Sequence, residues 1–181
     1  MCYINCTPGH RLVGRVGDQP SDIKLRLYVD ADFSGEVTDT KSTSGGYLVL
    51  YGPRTFYPLM WLSKRQTSTS RSTTEAEVVS LAASLFSEAI PVMDLWDMLL
   101  GNRKIQLEIM EDNQATIKVV QKGYSAKLRN VLQTHKIDLG SIKEVLEREP
   151  VSIEYIKTDE QAADVFTKAL VPMKWDNALK L

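Results

Sequence analysis

Apolar and polar residues alternate with two different periods along this chain, and the order of those periods predicts its architecture. Leu25, Leu27 and Val29 alternate with Arg26, Tyr28 and Asp30, the period of two that sends successive side chains to opposite faces of a strand. Gly46 to Tyr51 and Phe56 to Leu62 read as two more strands joined by the turn residues Gly52-Pro53, so the first three strands form an antiparallel meander. The period then lengthens. Ser72-Thr73-Thr74 offers hydroxyls for a helix cap and Glu75 a negative charge in the first turn, and Ala76, Val79, Ala83, Phe86, Ile90 and Met93 recur at helical spacing. Pro91 is placed to kink or split this helix, and Gly101-Asn102 ends it. Ile105 to Met110 alternates again as a fourth strand ending at Glu111-Asp112. A short helix from Gln114 to Lys122 stops at Gly123, and a second is expected from Leu128 to Arg148. After Pro150, Val151 to Ile156 makes a fifth strand, and Glu160 to Leu170 suits a last helix. The order β-β-β-α-β-α-α-β-α is that of an α/β domain with five strands and flanking helices.

Composition fits one such domain. The chain has 181 residues, 43% of them hydrophobic, enough for one core by the usual ~100–200 residues per domain. Residues 1–23 carry Pro8, Gly9, Gly14, Gly17 and Pro20 with few periodic apolar positions and read as a linker. Against 22 Lys and Arg stand 23 Asp and Glu, so a nucleic-acid partner would have to be held by local patches rather than by net charge. No apolar run reaches the ~18 residues that span a bilayer and the N-terminus lacks a signal-peptide core, so an intracellular protein with no membrane partner is expected. Cys2, Cys6 and His10 lie close together, but a structural zinc site takes four ligands, and the segment reads as an inert stub. Trp61, Trp96 and Trp175 sit in apolar contexts that suit packing, and His135 in a context that suits a helix surface.

Four acids change the picture. Asp30 lies late in the first strand, Asp112 at the end of the fourth, Glu77 in the first turns of the long helix and Asp164 in the first turns of the last. Any one of them alone is an ordinary turn, cap or dipole residue. Together, at strand ends and helix starts, they form a set that repels itself unless cations neutralise it, and carboxylate oxygens suit hard divalent ions. Neighbouring strands are ~5 Å apart, so Asp30 and Asp112 can share a metal if their strands pair. Such a cluster holds two ions ~3.5–4 Å apart for in-line attack of water on a phosphodiester.

The frames around these acids, YVDADFSG, KSTSGGYLVL, WLSKRQTSTSRSTTEAE, EDNQATI and DEQAADVFTKAL, resemble in order the ribonuclease H domain of copia-type retrotransposon polyproteins over roughly residues 24–170. The resemblance implies a ribonuclease H-like fold with a five-stranded mixed sheet flanked by helices. It implies hydrolysis of the RNA strand of an RNA–DNA hybrid during reverse transcription, in a cytoplasmic particle or the nucleus. It further implies that residues 1–23 are the remnant of a connection to an upstream reverse transcriptase domain of the same polyprotein, with 171–181 as a C-terminal tail. Carried over residue by residue, Asp30, Glu77, Asp112 and Asp164 become the catalytic residues and metal ligands, for two Mg2+ ions or Mn2+ in their place. Ser72, Thr73, Thr74, Asn113 and Gln114 become substrate-binding residues.

Asp32, Glu75, Glu111, Asp159 and Glu160 neighbour the four acids, and the family frame favours the four over them; Glu75 is read as a helix-start residue. Lys157-Thr158-Asp159 stands where many cellular ribonucleases H have a loop histidine, which leaves protonation of the leaving group unassigned. Lys64, Arg65, Arg71, Lys118, Lys122, Lys127, Arg129 and Lys136 are phosphate contacts or simply a solvated face. Two other readings compete: a catalytically silent, element-derived domain that binds nucleic acid or protein, and an integrase-like nuclease of the same fold. The STTEAE and ADVFTKAL frames do not suit the second.

Overall fold

The computed structural model describes residues 13–33, 40–101, 104–148 and 150–168. Strands β1 (Lys24–Asp32), β2 (Thr43–Gly52) and β3 (Thr55–Arg65) are followed by helices α1 (Thr73–Ser84) and α2 (Ile90–Leu99). Then come β4 (Leu107–Glu111), helices α3 (Gln114–Lys122), α4 (Val131–His135) and α5 (Leu139–Leu146), and β5 (Val151–Tyr155). The strands form one sheet in the order β3-β2-β1-β4-β5, antiparallel across β1 to β3 and parallel from β1 to β4 and β4 to β5. This is the mixed five-stranded sheet expected from the sequence, with Asp30 and the end of β4 brought to the same edge.

One face of the sheet carries Leu25, Leu27, Val29, Leu48, Leu50, Leu107 and Ile109, which pack on the helices in the main core. The other carries Tyr28, Val49 and Met110 and is covered by Ala162 and Ala163 of a short 3-10 segment, Ala162–Phe166. Burial on both faces explains why β1 is almost wholly enclosed rather than half-exposed. Two glycines in β2 permit the close packing. A Cβ on Gly46 would collide with Ser84 Oγ of α1, and one on Gly45, facing the other way, with the Thr167 side chain.

Helix α1 is held to the sheet by Val78, Leu81 and Ala82, with Leu85 just beyond its end, and by Ser80, whose hydroxyl lies 2.7 Å from the Asp30 carbonyl and 3.0 Å from that of Gly45. The buried stripe is thus rotated from the predicted one. Val79 and Ala83 are only half-buried and Phe86 is exposed. Apolar residues occupy both faces of this helix, so periodicity alone did not choose between them. Ahead of Pro91 the helix widens into a π turn over Leu85–Ala89, where the Ile90 N–H donates to the Leu85 carbonyl. That turn absorbs a proline that lacks an N–H and crowds the preceding turn. By length and composition Thr73–Leu99 is long and apolar enough to cross a membrane, which the sequence reading had not expected. Its first half is the core helix of this sheet.

Two predicted helices differ. The expected Leu128–Arg148 helix is broken into α4 and α5, because Lys136 adopts a left-handed φ of 60° and Asp138 starts a new helix by accepting from the Gly140 N–H at 2.9 Å. In place of a last helix from Glu160, two 3-10 turns occupy Thr158–Glu160 and Ala162–Phe166. Trp61 is 62% exposed on β3, contrary to the expectation of a packing role, whereas Trp96 packs against the core. Within the predicted linker, Arg15 pairs with Phe56 and the Gly17 and Asp18 N–H groups donate to Thr55 Oγ1. Cys2, Cys6, His10, Trp175 and the 171–181 tail lie outside the described residues.

Candidate metal and nucleic-acid site

Parallel pairing of β1 with β4 brings together two acids that lie far apart along the chain. Asp30 projects from the last third of β1, and Asp112 follows β4 by one residue. Glu77 comes down from the second turn of α1, which Ser72 caps by accepting the Glu75 N–H at 3.1 Å. Ligand oxygens of Asp30, Glu77 and Asp112 all lie within 4.8 Å of one another. They line one side of an open cleft of about 660 Å³, with Asp32, Thr73, Asn113, Gln114 and Lys168 around it.

The electrostatics identify what the cluster lacks. Burial, with Glu111, Asp30 and Asp112 adding repulsion, pushes the Glu77 carboxyl up to about 10, and its Oε2 has no hydrogen-bond partner among the described residues. Burial likewise raises Glu111, fully enclosed beneath the cleft, although the Asn113 N–H donates to its Oε1 at 3.0 Å. Three converging carboxylates with an orphaned oxygen fit a hard divalent cation, which would bring these groups back to the charged form.

Asp164, the fourth predicted acid, joins the site through a cation. Lys168 Nζ donates to Asp164 Oδ1 at 2.7 Å and to Asp30 Oδ1 at 3.1 Å, while the Thr167 hydroxyl donates to Asp30 Oδ2. Burial and the charges of Asp30 and Asp112 raise the Asp164 carboxyl against the pull of Lys168. Thr158, in the Lys157-Thr158-Asp159 loop that has no histidine, donates its hydroxyl to Asp112 Oδ2 at 2.8 Å. Gln161 ties that loop to the sheet through its amide, donating to the Val29 carbonyl at 2.9 Å.

Lys168, Thr167 and Thr158 were given no role from the sequence, although Thr158 lies in the loop noted for its lack of a histidine. Lys168 had a signal, since it follows Asp164 by four residues at ion-pair spacing; the contacts of the other two depend on chain crossings that no local pattern carries. Of the predicted substrate residues, Thr73, Asn113 and Gln114 line the cleft and Ser72 and Thr74 are half-buried beside it. Ser72 and Asn113 also serve as caps, Asn113 Oδ1 accepting from the Ala115 and Thr116 N–H groups at 3.0 and 3.2 Å. Glu75 turns away from the cluster, as its position two residues from Glu77 requires. It meets His135, whose side chain is buried rather than on the surface.

Solved structures with this architecture supply the comparison. Ribonuclease H1 of the halophilic archaeon Halobacterium salinarum superposes with a TM-score of 0.55 at 15% identity, over 80% of this chain and 94% of that one. LC11-RNase H1 in complex with an RNA/DNA hybrid gives 0.51 at 17% identity, over 80% and 94%. This chain has the ribonuclease H fold. In sequence, the retrovirus-related Pol polyprotein from transposon RE2 of Arabidopsis thaliana is 29% identical over 180 residues, and that from transposon TNT 1-94 of Nicotiana tabacum 27% over 157. The matches cover 97% and 86% of this chain but only 11% of each polyprotein, so the chain spans a small part of the relatives' length. Relatives of that kind are the ones the motif resemblance pointed to. No family model matches the chain.

Proposed function

We propose that this chain is a metal-dependent endonuclease that hydrolyses the RNA strand of RNA–DNA hybrids during retrotransposon reverse transcription, as the ribonuclease H part of a polyprotein whose upstream reverse transcriptase is its natural partner. The observation that carries the proposal is the convergence of Asp30, Glu77 and Asp112 within 4.8 Å on a ribonuclease H fold. Support comes also from a solved structure of this fold that is in complex with an RNA/DNA hybrid and from Pol polyprotein relatives. An intracellular site of action follows from the same reading.

Asp30, Glu77 and Asp112 would hold divalent ions, Mg2+ or Mn2+, with Asp164 joining them as Lys168 gives way. Two such ions supply an activated water and charge neutralisation at the departing oxygen during in-line attack on a phosphodiester. The chain's own groups then orient the site. Thr158 fixes Asp112, Thr167 fixes Asp30, and the caps at Ser72 and Asn113 hold the two helix starts that border the cleft. Thr73 and Gln114 face the substrate, where donors and acceptors sense a 2′-hydroxyl.

The test is a metal titration combined with cleavage of matched RNA·DNA, RNA·RNA and DNA·DNA duplexes. Cleavage of RNA only opposite DNA is expected, stronger at low salt because the chain has no net positive charge. Equal cleavage of DNA·DNA would overturn the assignment in favour of the integrase-like reading. Bound metal with no cleavage of any duplex would favour the silent binding domain.

A further inference from the structure

The segment 124–137 between α3 and α5 presents Lys127, Arg129 and Lys136 to solvent while Leu128 and Val131 anchor it in the core. Its far end is fastened to the start of the catalytic helix. The Ser68 hydroxyl donates to the Thr134 carbonyl at 3.1 Å, and His135 Nε2 lies 3.3 Å from Glu75 Oε1, with side chains only 2% and 6% exposed. Nε2 falls short of hydrogen-bond geometry and has no other partner among the described residues. Glu75 in turn accepts the Arg71 backbone N–H at 3.0 Å, so the contact bears on the turn that leads into Ser72, Thr73 and Thr74. Just past His135 the left-handed Lys136 swings the chain outward.

Taking an imidazole and a carboxylate out of water together is costly, and an apolar pair would hold two segments at least as tightly. A polar pair adds a fixed register between them. We infer that His135 is a positioning residue for nucleic-acid binding: through Glu75 it holds the basic segment 124–137 beside Ser72–Thr74, so that a duplex backbone meeting the helix start also meets Lys127, Arg129 and Lys136. The inference rests on the proposed hybrid substrate.

Its test compares the full chain with His135→Leu, which removes the polar contact, and His135→Gln, which keeps a polar group facing Glu75. KM, kcat and the salt dependence of hybrid binding are measured, with amide exchange over 124–137 in the absence of nucleic acid. His135→Leu should raise KM about tenfold and flatten the salt dependence by roughly one phosphate contact, a slope change of about 0.9, with kcat within about twofold. Faster exchange over 124–137 should accompany it, and His135→Gln should restore all three. An unchanged KM and salt slope in a folded His135→Leu protein would overturn the inference and leave the pair a packing detail. Should His135→Leu fail to fold, the combined Lys127→Gln, Arg129→Gln and Lys136→Gln protein decides, since wild-type affinity and salt slope there would equally overturn it. A wild type that binds hybrid without cutting would sink the nuclease reading alone, and dissociation constants would then replace KM.

Discussion

Glu108 on β4 and Glu77 on α1 are both buried glutamates at the paired strands β1 and β4, and their surroundings have opposite signs. Glu108 faces Arg26 in the parallel register, and both Arg26 and Lys24 donate to it, Arg26 Nη2 at 2.8 Å and Nε at 3.1 Å. Arg26 also stacks on Tyr51, its Cζ 3.5 Å from the ring centroid. Burial alone would raise the Glu108 carboxyl, but the two cations outweigh it and hold it below the ordinary glutamate range. Four residues further along β1, Asp30 meets Glu77 and Asp112, and burial with mutual repulsion drives Glu77 up. With 22 Lys and Arg against 23 Asp and Glu the chain is nearly balanced, so the difference is one of placement: at one end of the strand pair cations close a structural cluster, and at the other the converging acids lack enough of them. Lys168 is the partial exception, neutralising Asp30 and Asp164 while Glu77 goes unanswered.

The sharpest way to break this contrast is to remove a ligand. Asp30→Asn or Asp112→Asn should abolish metal-dependent cleavage, a loss beyond the ~10–100-fold typical of residues that only orient metal ligands. Less repulsion should leave either protein melting at the same or a higher temperature in chelator, and a cooperative loss of structure would instead make these acids structural. Glu77→Gln should behave likewise. Glu75→Gln should keep kcat at saturating substrate and Mg2+, and the reverse result would put the wrong glutamate in the site.

At the compensated end the expectation inverts. Glu108→Gln should leave cleavage intact and cost about 1–3 kcal/mol in denaturant unfolding, the scale of hydrogen bonds to charged groups in a partly exposed cluster. A loss of cleavage with unchanged stability would erase the distinction between the two ends.

Titration sharpens the comparison further. Glu77 holds its proton more tightly in the native chain than the ordinary 4.5, so the metal-free native state binds more protons than the unfolded state between that value and about 10. Stability from this group is therefore fully present below 4.5 and lost as pH rises toward 10, by at most about 1.4 kcal/mol per pH unit. Glu108 works the other way, its contribution present above 4.5 and lost as pH falls through its depressed native value. Melting in chelator from pH 5 upward should show the first trend, and Mg2+ or Glu77→Gln should flatten it. A metal-free melting temperature that climbs with pH over this range would contradict the reading.

The smallest effect belongs to Lys168, which is about a third exposed. Lys168→Met should tighten Mg2+ binding a few-fold without substrate, since partly exposed ion pairs are worth about 0.2–1 kcal/mol each. Calorimetry showing weaker binding would mean that the ammonium supports the metal site rather than competing for it.

Much of this was determined by sequence. Period-two and helical spacing set the element order, because side-chain direction in strands and helices is a local property of the backbone. The flanking frames picked out Asp30, Glu77, Asp112 and Asp164, and placing Asp30 and Asp112 at strand ends followed from the same periodicity. Tertiary structure alone decided the rest. Which stripe of α1 is buried was settled by the sheet it lies on, since both stripes are apolar. The break at Lys136 and the burial of His135 came from contacts with Ser68 and Glu75 some sixty residues away in the chain. Lys168 reached Asp30 across 138 residues, and Lys24 and Arg26 reached Glu108 across more than eighty. Whether a buried carboxylate is answered from within or left for an external cation depends on such crossings, because charge acts through space over a few ångströms and sequence spacing records only distance along the chain.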